Sequence, residues 1–243
     1  MSKYLKALVA SCCISWAVVT SVAWADDADL LLDVLQQQRS MQAEFTQSIT
    51  DTLGREIQAS RGSLKIQKPK QFLWRTSEPF EQEIISDGEK MWVFDVDLDQ
   101  LTIQPVDQQW DSTPALLLTG DEDEVRKNFV IQLVSKDAQS LIFNVSPVAT
   151  DSAYKSLELV LENKKVVGMR FTDHLGQISS IQFTEIVTDK PIAKSEFIIE
   201  PSAEVDVIDY FKDAEFEGDG LDDLNSHLKT DSETARFTDS VSP

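Results

Sequence analysis

At 243 residues with 42% hydrophobic content, the chain is long enough for one large domain or two small ones with a substantial core. Its formal net charge of −20 repels phosphate backbones, which excludes nucleic acid as a partner and favours basic ones. Only two cysteines occur, Cys12 and Cys13, which leaves little room for a disulfide framework.

Residues 1–25 read as a secretory signal: Lys3 and Lys6 form a positive start, an apolar run follows from Ala7 to Val22, and Ala23-Trp24-Ala25 matches an A-x-A cleavage site. The run is interrupted by Ser and Thr and is short against the ~20 residues of a membrane span, which argues against a retained anchor. Val9-Ala10-Ser11-Cys12 is similar to a lipobox, but the apolar run continues well past it, so lipidation is rejected. Cleavage after Ala25 leaves 20 basic residues against 42 acidic ones, a net charge of −22. It also removes both cysteines, and with them any disulfide, thiolate nucleophile or cysteine metal site.

The spacing predicts a helix over residues 27–42, capped by Asp27 or Asp29, with Leu31, Val34, Leu35 and Gln38 on one stripe. That stripe is apolar at one end only, so the helix covers something. From Phe45 the period becomes two. Strands are predicted at Phe45–Thr50, Gln58–Gln67, Gln71–Thr76, Glu83–Ser86, Met91–Asp95 and Leu101–Pro105. A second run comprises Phe129–Ser135, Leu141–Val145, Ser156–Leu161, Val166–Thr172, Gln177–Ile186 and Glu196–Ile199. Short turns such as Ser86-Asp87-Gly88 and Asn163-Lys164 imply an antiparallel meander, with no internal repeat and no βαβ alternation.

Between the two runs lies "STPALLLTGDEDEVRKNF". Ser112 or Thr113 caps a helix with Pro114 at its first position, Leu116, Leu117 and Leu118 form a greasy turn, Gly120 breaks it, and Asp121 caps a second piece. On pattern alone this is either a lid or a crossover helix over a sheet. Residues 212–243 hold nine acidic against three basic residues among Gly, Ser and Thr, and are expected to be disordered.

Chemistry-bearing motifs are scarce. His174 falls in a predicted hairpin turn and His227 in the tail, neither beside a Ser or carboxylate arrangement that suggests catalysis. Asp95-Val96-Asp97-Leu98-Asp99 begins like a calcium loop, yet its sixth and twelfth positions are Gln100 and Val106 instead of Gly and an acid. Neither a phosphate-binding Gly loop nor a Gly-x-Ser-x-Gly elbow occurs. No enzyme activity, metal or cofactor is expected, and the Asn144-Val145-Ser146 sequon is weakened by its strand position and Pro147.

Several strands are apolar on both faces: Phe72 and Trp74 oppose Leu73, and Met91 and Val93 oppose Trp92 and Phe94. Two small helical segments cannot cover both faces of a dozen strands. A two-sheet sandwich, a closed barrel, or a curved open sheet with helices in its hollow would each resolve this.

The series Phe45-x-Gln47, Gly62-x-Leu64, Lys68-Pro69-x-x-Phe72-x-Trp74, Pro79, Ser86-Asp87-Gly88, Trp92-x-Phe94-Asp95, Gln100, Thr113-Pro114, Asp173-x-x-Gly176-Gln177, Phe197, Pro201 and Val205-Asp206-Val207 resembles the periplasmic outer-membrane lipoprotein carrier (LolA) family. The likeness runs from about residue 27 to 211. It implies a mainly β fold with a few helices: an incompletely closed antiparallel β-barrel, or strongly curved sheet, with a helical lid over a hydrophobic cavity. It further implies a soluble periplasmic monomer that takes lipoproteins from an inner-membrane ABC transporter to an outer-membrane receptor. The expected division is a signal peptide at 1–25, a carrier domain at 26–211 and an acidic tail at 212–243. The alternative is a binding protein of the same fold for another amphiphile, such as a glycolipid or hydrophobic peptide.

On this resemblance the acyl chains are expected against Phe72, Trp74, Trp92, Phe94, Leu116, Leu117, Leu118 and Phe143. Strand parity is left open, because a one-residue slip reverses every face. Where the family usually carries arginine before the proline of the aromatic strand, this chain has Lys68, the expected lid latch. Lysine offers three donors on a mobile stem against arginine's rigid fork of five.

Overall fold

The computed structural model describes residues 26–106, 114–150 and 152–210. The predicted signal segment and acidic tail lie outside the described residues. Helix α1 (Asp27–Gln37) leads into β1 (Ser40–Thr50), β2 (Glu56–Gln67), β3 (Gln71–Glu78), β4 (Gln82–Ser86), β5 (Lys90–Asp95) and β6 (Gln100–Pro105). Two short helices follow, α2 (Pro114–Thr119) and α3 (Glu122–Asn128). The second run is β7 (Phe129–Lys136), β8 (Ser140–Pro147), β9 (Tyr154–Glu162), β10 (Lys165–Asp173) and β11 (Ile178–Thr188), and β12 (Asp206–Asp209) ends the described chain.

All twelve strands join one sheet in the order β12-β6-β5-β4-β3-β2-β1-β11-β10-β9-β8-β7. The two meanders meet where β1 pairs with β11, and the outer strands β12 and β7 do not pair with each other. The sheet is therefore an open, strongly curved barrel, and the sandwich and closed-barrel alternatives fall away. Curvature brings Met91 of β5 and Ile131 of β7, near opposite margins, into one buried cluster with the α1 leucines.

Strand ends shift by a few residues from the sequence reading, β1 beginning at Ser40 instead of Phe45, and three larger departures occur. Helix α1 stops at Gln37, because Arg39 and Ser40 are tied instead to the start of β1 and the segment after β11. The Arg39 amide donates to Asp189 Oδ1 (3.0 Å), and Ser40 Oγ donates to the Lys190 carbonyl (2.7 Å). The predicted strand at Glu196–Ile199 is instead a 3-10 turn, Lys194–Phe197, that buries Phe197 completely. The final strand is β12, which runs parallel to β6, an exception in an otherwise antiparallel sheet.

The two faces are covered differently. On the concave face, Leu31, Leu32, Val34 and Leu35 of α1, Leu117 and Leu118 of α2 and Val125 of α3 pack onto the sheet. On the convex face, Ile192, Phe197, Ile199 and Val205 cover Leu73, Ile85, Trp92 and Leu101 of β3–β6. This second cover explains why β3 and β5 are apolar on both sides. The convex face of β1, β2 and β11 instead carries an open groove of about 820 Å³, lined by residues that include Thr46, Ser48, Ala59, Arg61, Ser180 and Gln182.

The ends of the sheet also differ. The turns β1–β2, β3–β4, β5–β6, β8–β9 and β10–β11 share one rim, and each exposes a large apolar side chain: Leu53, Phe80, Leu98, Val148 and Leu175. The opposite rim holds the β2–β3, β4–β5, β7–β8 and β9–β10 turns, whose residues are polar or charged apart from Pro69, Gly88 and Ala138.

A lidded apolar trough

Strand register sorts the aromatic side chains. Phe72 stands opposite Ile66 and Ser86, and Ser86 opposite Met91. Trp74 stands opposite Leu64 and Ile84, and its ring stacks on Phe45 with centroids 4.0 Å apart. These residues share the concave face, where Phe72 belongs to the main cluster and Trp74 packs against it. Phe143 is fully buried in the same cluster, and Leu117 and Leu118 reach it from α2. Leu116 lies within α2, but its side chain is outside the described residues.

Trp92 and Phe94 are placed otherwise. Trp92 faces Ile85 and Ile103, and both aromatic residues belong to the convex cluster under residues 192–205. The β5 parity is thus opposite to that expected, and Met91 and Val93 are its concave residues. Residues absent from the expected lining supply much of the trough: Phe45, Leu64, Leu157, Leu159, Met169, Ile181 and Phe183. Their signal was period-two alternation; β9 alternates Leu157, Leu159 and Leu161 with Ser156, Glu158, Val160 and Glu162.

The helices are held by polar bonds around the trough's margin. Lys68 Nζ donates to the Leu35 carbonyl near the end of α1 (2.7 Å), one of the acceptors that a helix end leaves unpaired. Burial lowers the Lys68 pKa to about 8. Two residues on, the Lys70 amide donates to the Thr119 carbonyl at the end of α2 (3.2 Å), and Lys70 Nζ pairs with Glu124 Oε1 of α3 (2.5 Å). One turn, β2–β3, therefore grips all three helices. Ser86 Oγ steadies that turn by donating to the Lys70 carbonyl (2.9 Å).

Further ties join the helices to each other and to β7. Gln36 Nε2 donates to the Gly120 carbonyl (3.4 Å), and Arg126 of α3 pairs with Asp29 of α1 while its Nε donates to Glu122 Oε1 (2.9 Å). Asp27 Oδ2 accepts from the Leu133 amide (2.9 Å), at the irregular pairing of β7 with β8. Glu124 Oε2 is buried without a partner.

An apolar concavity filled by helices, with their polar ties at its margin, is the architecture of a lidded container for apolar groups. Among the described residues no cluster of ligating side chains suited to a metal ion is present, and no helix is long and apolar enough to cross a membrane.

Residues 36–200 match the family model described as outer membrane lipoprotein carrier protein LolA. Outer-membrane lipoprotein carrier proteins from Hahella chejuensis and Pseudomonas paraeruginosa are 33% and 35% identical to this chain. Each alignment covers 79% of this chain, with 92% of the first relative and 93% of the second. A crystal structure of an uncharacterized conserved protein from Thermus thermophilus has the same fold, with a TM-score of 0.50 at 11% identity, covering 76% of this chain and 99% of that one. The chain belongs to the outer-membrane lipoprotein carrier (LolA) family.

Proposed function

We propose that this protein is a periplasmic carrier that shields the acyl chains of lipoproteins released from the inner membrane and delivers them to the outer membrane. The single observation that carries the reading is the apolar concave face covered by helices whose polar ties sit at the margin. Transfer to water costs about 0.8 kcal/mol per CH₂, or on the order of 12 kcal/mol for a sixteen-carbon chain. Unassisted passage across an aqueous space is then negligible. Burial against Phe72, Trp74, Phe143 and the β9 leucines requires no sequence-specific contact, which suits cargo of varied protein sequence.

The lid meets the opposite requirement, release. Leu117 and Leu118 occupy the trough when cargo is absent, so exchanging them for acyl chains keeps the net free-energy change small. Lys68 acts as the latch through the Leu35 carbonyl. The donor of cargo is an inner-membrane ABC transporter and the acceptor an outer-membrane receptor. Family membership supports the lipoprotein cargo, and the signal-like segment at 1–25 supports export.

The test is to incubate the purified chain, processed at Ala25, with inner-membrane vesicles carrying an acylated lipoprotein and the transporter. A soluble one-to-one complex that forms only with ATP is expected. Lipoprotein that stays in the membrane pellet with and without this chain would refute the reading.

A further inference from the structure

The trough's apolar lining contains a hydroxyl with no partner. Tyr154 opens β9 and is only 5% exposed, yet its phenolic oxygen makes no hydrogen bond. Ser152 Oγ, two residues earlier, is likewise buried and unpartnered. A buried unsatisfied hydroxyl is destabilising, and phenylalanine would fill the same space without that penalty.

The backbone is shaped to bring this group inside. Counted from Leu157, Leu159 and Leu161, an even-numbered residue of β9 belongs on the convex face, where a phenol would meet water. The β9–β10 pairing slips at this point: Thr172 pairs with Ser156 but Asp173 pairs with Tyr154, which leaves Lys155 as an extra residue. Such a bulge reverses side-chain parity. It sends Lys155 out to solvent and brings Tyr154 into the main buried cluster, its ring 6.1 Å from that of Phe171. Tyr154 thus lies at the end of the trough opposite the β2–β3 turn.

We infer that Tyr154 is a polar binding residue for cargo, its hydroxyl donating to an acyl carbonyl, ester or amide, at the end of a bound fatty chain. The inference rests on the carrier reading, which supplies fatty chains that end in a carbonyl. It also adds selectivity: a lining of hydrocarbon alone holds any greasy chain, whereas a buried donor favours one that ends in a carbonyl.

The experiment compares dipalmitoylglycerol with dihexadecyl glycerol ether. The two have equal chain lengths, but the ether lacks the carbonyls. Each is delivered from detergent to the purified chain, and retention is measured after gel filtration, with Tyr154→Phe in parallel. The wild-type chain is expected to hold the ester about 2- to 10-fold more tightly, the range of one net hydrogen bond. Tyr154→Phe should abolish that preference while melting at the same temperature or higher. Equal wild-type binding of the two lipids would overturn this inference alone. So would a Tyr154→Phe variant that melts lower and keeps the preference, because the hydroxyl would then serve the protein's own packing. If neither lipid bound, the carrier reading and this inference would fall together.

Discussion

Leu117 and Leu159 offer a matched pair for testing whether the helices are a cover or part of the fixed core. Both are leucines with at most 1% of their surface exposed, and both belong to the main cluster; Leu117 is on α2 and Leu159 on β9. Truncation of a buried leucine to alanine costs about 2–5 kcal/mol. For Leu159→Ala the whole loss should appear in global unfolding by denaturant. For Leu117→Ala it falls on the closed form alone. Once it exceeds the free energy of closing, the open form becomes the ground state and global stability declines no further. The closed-to-open ratio should shift by roughly 30-fold or more. A hydrophobic dye should therefore bind Leu117→Ala strongly and Leu159→Ala weakly, with the smaller loss of global stability in Leu117→Ala. Equal losses in both variants, with no dye binding by Leu117→Ala, would refute the idea of a movable cover.

Replacing Lys68 with arginine adds donors toward the end of α1, and cargo uptake from loaded vesicles should slow; an unchanged or faster rate would deny Lys68 a latching role. Burial holds the Lys68 pKa near 8, below the ordinary 10.5, so the unfolded chain binds the proton more readily between those values. Stability should therefore rise with pH across that window relative to Lys68→Met, by about 1 kcal/mol once partial exposure is allowed for, as measured by denaturant titration at pH 7.5 and 10. Gly62 faces Phe45 across the β1–β2 ladder, and a Cβ there would sit 1.8 Å from the Arg75 carbonyl oxygen and 2.9 Å from the Phe45 ring. Gly62→Ala should cost at least about 3 kcal/mol and disrupt the Phe45–Trp74 stack, read out by near-ultraviolet circular dichroism.

How much of this was legible in the sequence depended on how many faces of a strand are dry. In β9 one face packs and the other meets solvent, so alternation alone identifies Leu157, Leu159 and Leu161. In β3 and β5 both faces are buried, one under the helices and one under residues 192–205, so nothing local distinguishes Met91 from Trp92. The convex cover comes from a segment about 100 residues further along the chain, and only tertiary packing reveals it. The same applies to β12, whose pairing with β6 spans a comparable separation. The Lys68 position was readable through family resemblance, whereas its acceptor, the Leu35 carbonyl, belongs to a backbone group with no sequence signature. Tyr154 was hidden because a bulge has no period: counting by twos assigns it to the wrong side.

The outer strands β12 and β7, which among the described residues do not pair with each other, have a consequence for the carrier reading. A cylinder laced shut has a girth set by its strand count and stagger, and widening it means tearing ladder bonds. Here there is no lacing to tear at the seam. On the carrier reading proposed above, the wall would widen for a guest by small changes of twist spread over many rungs, with no strand sacrificed.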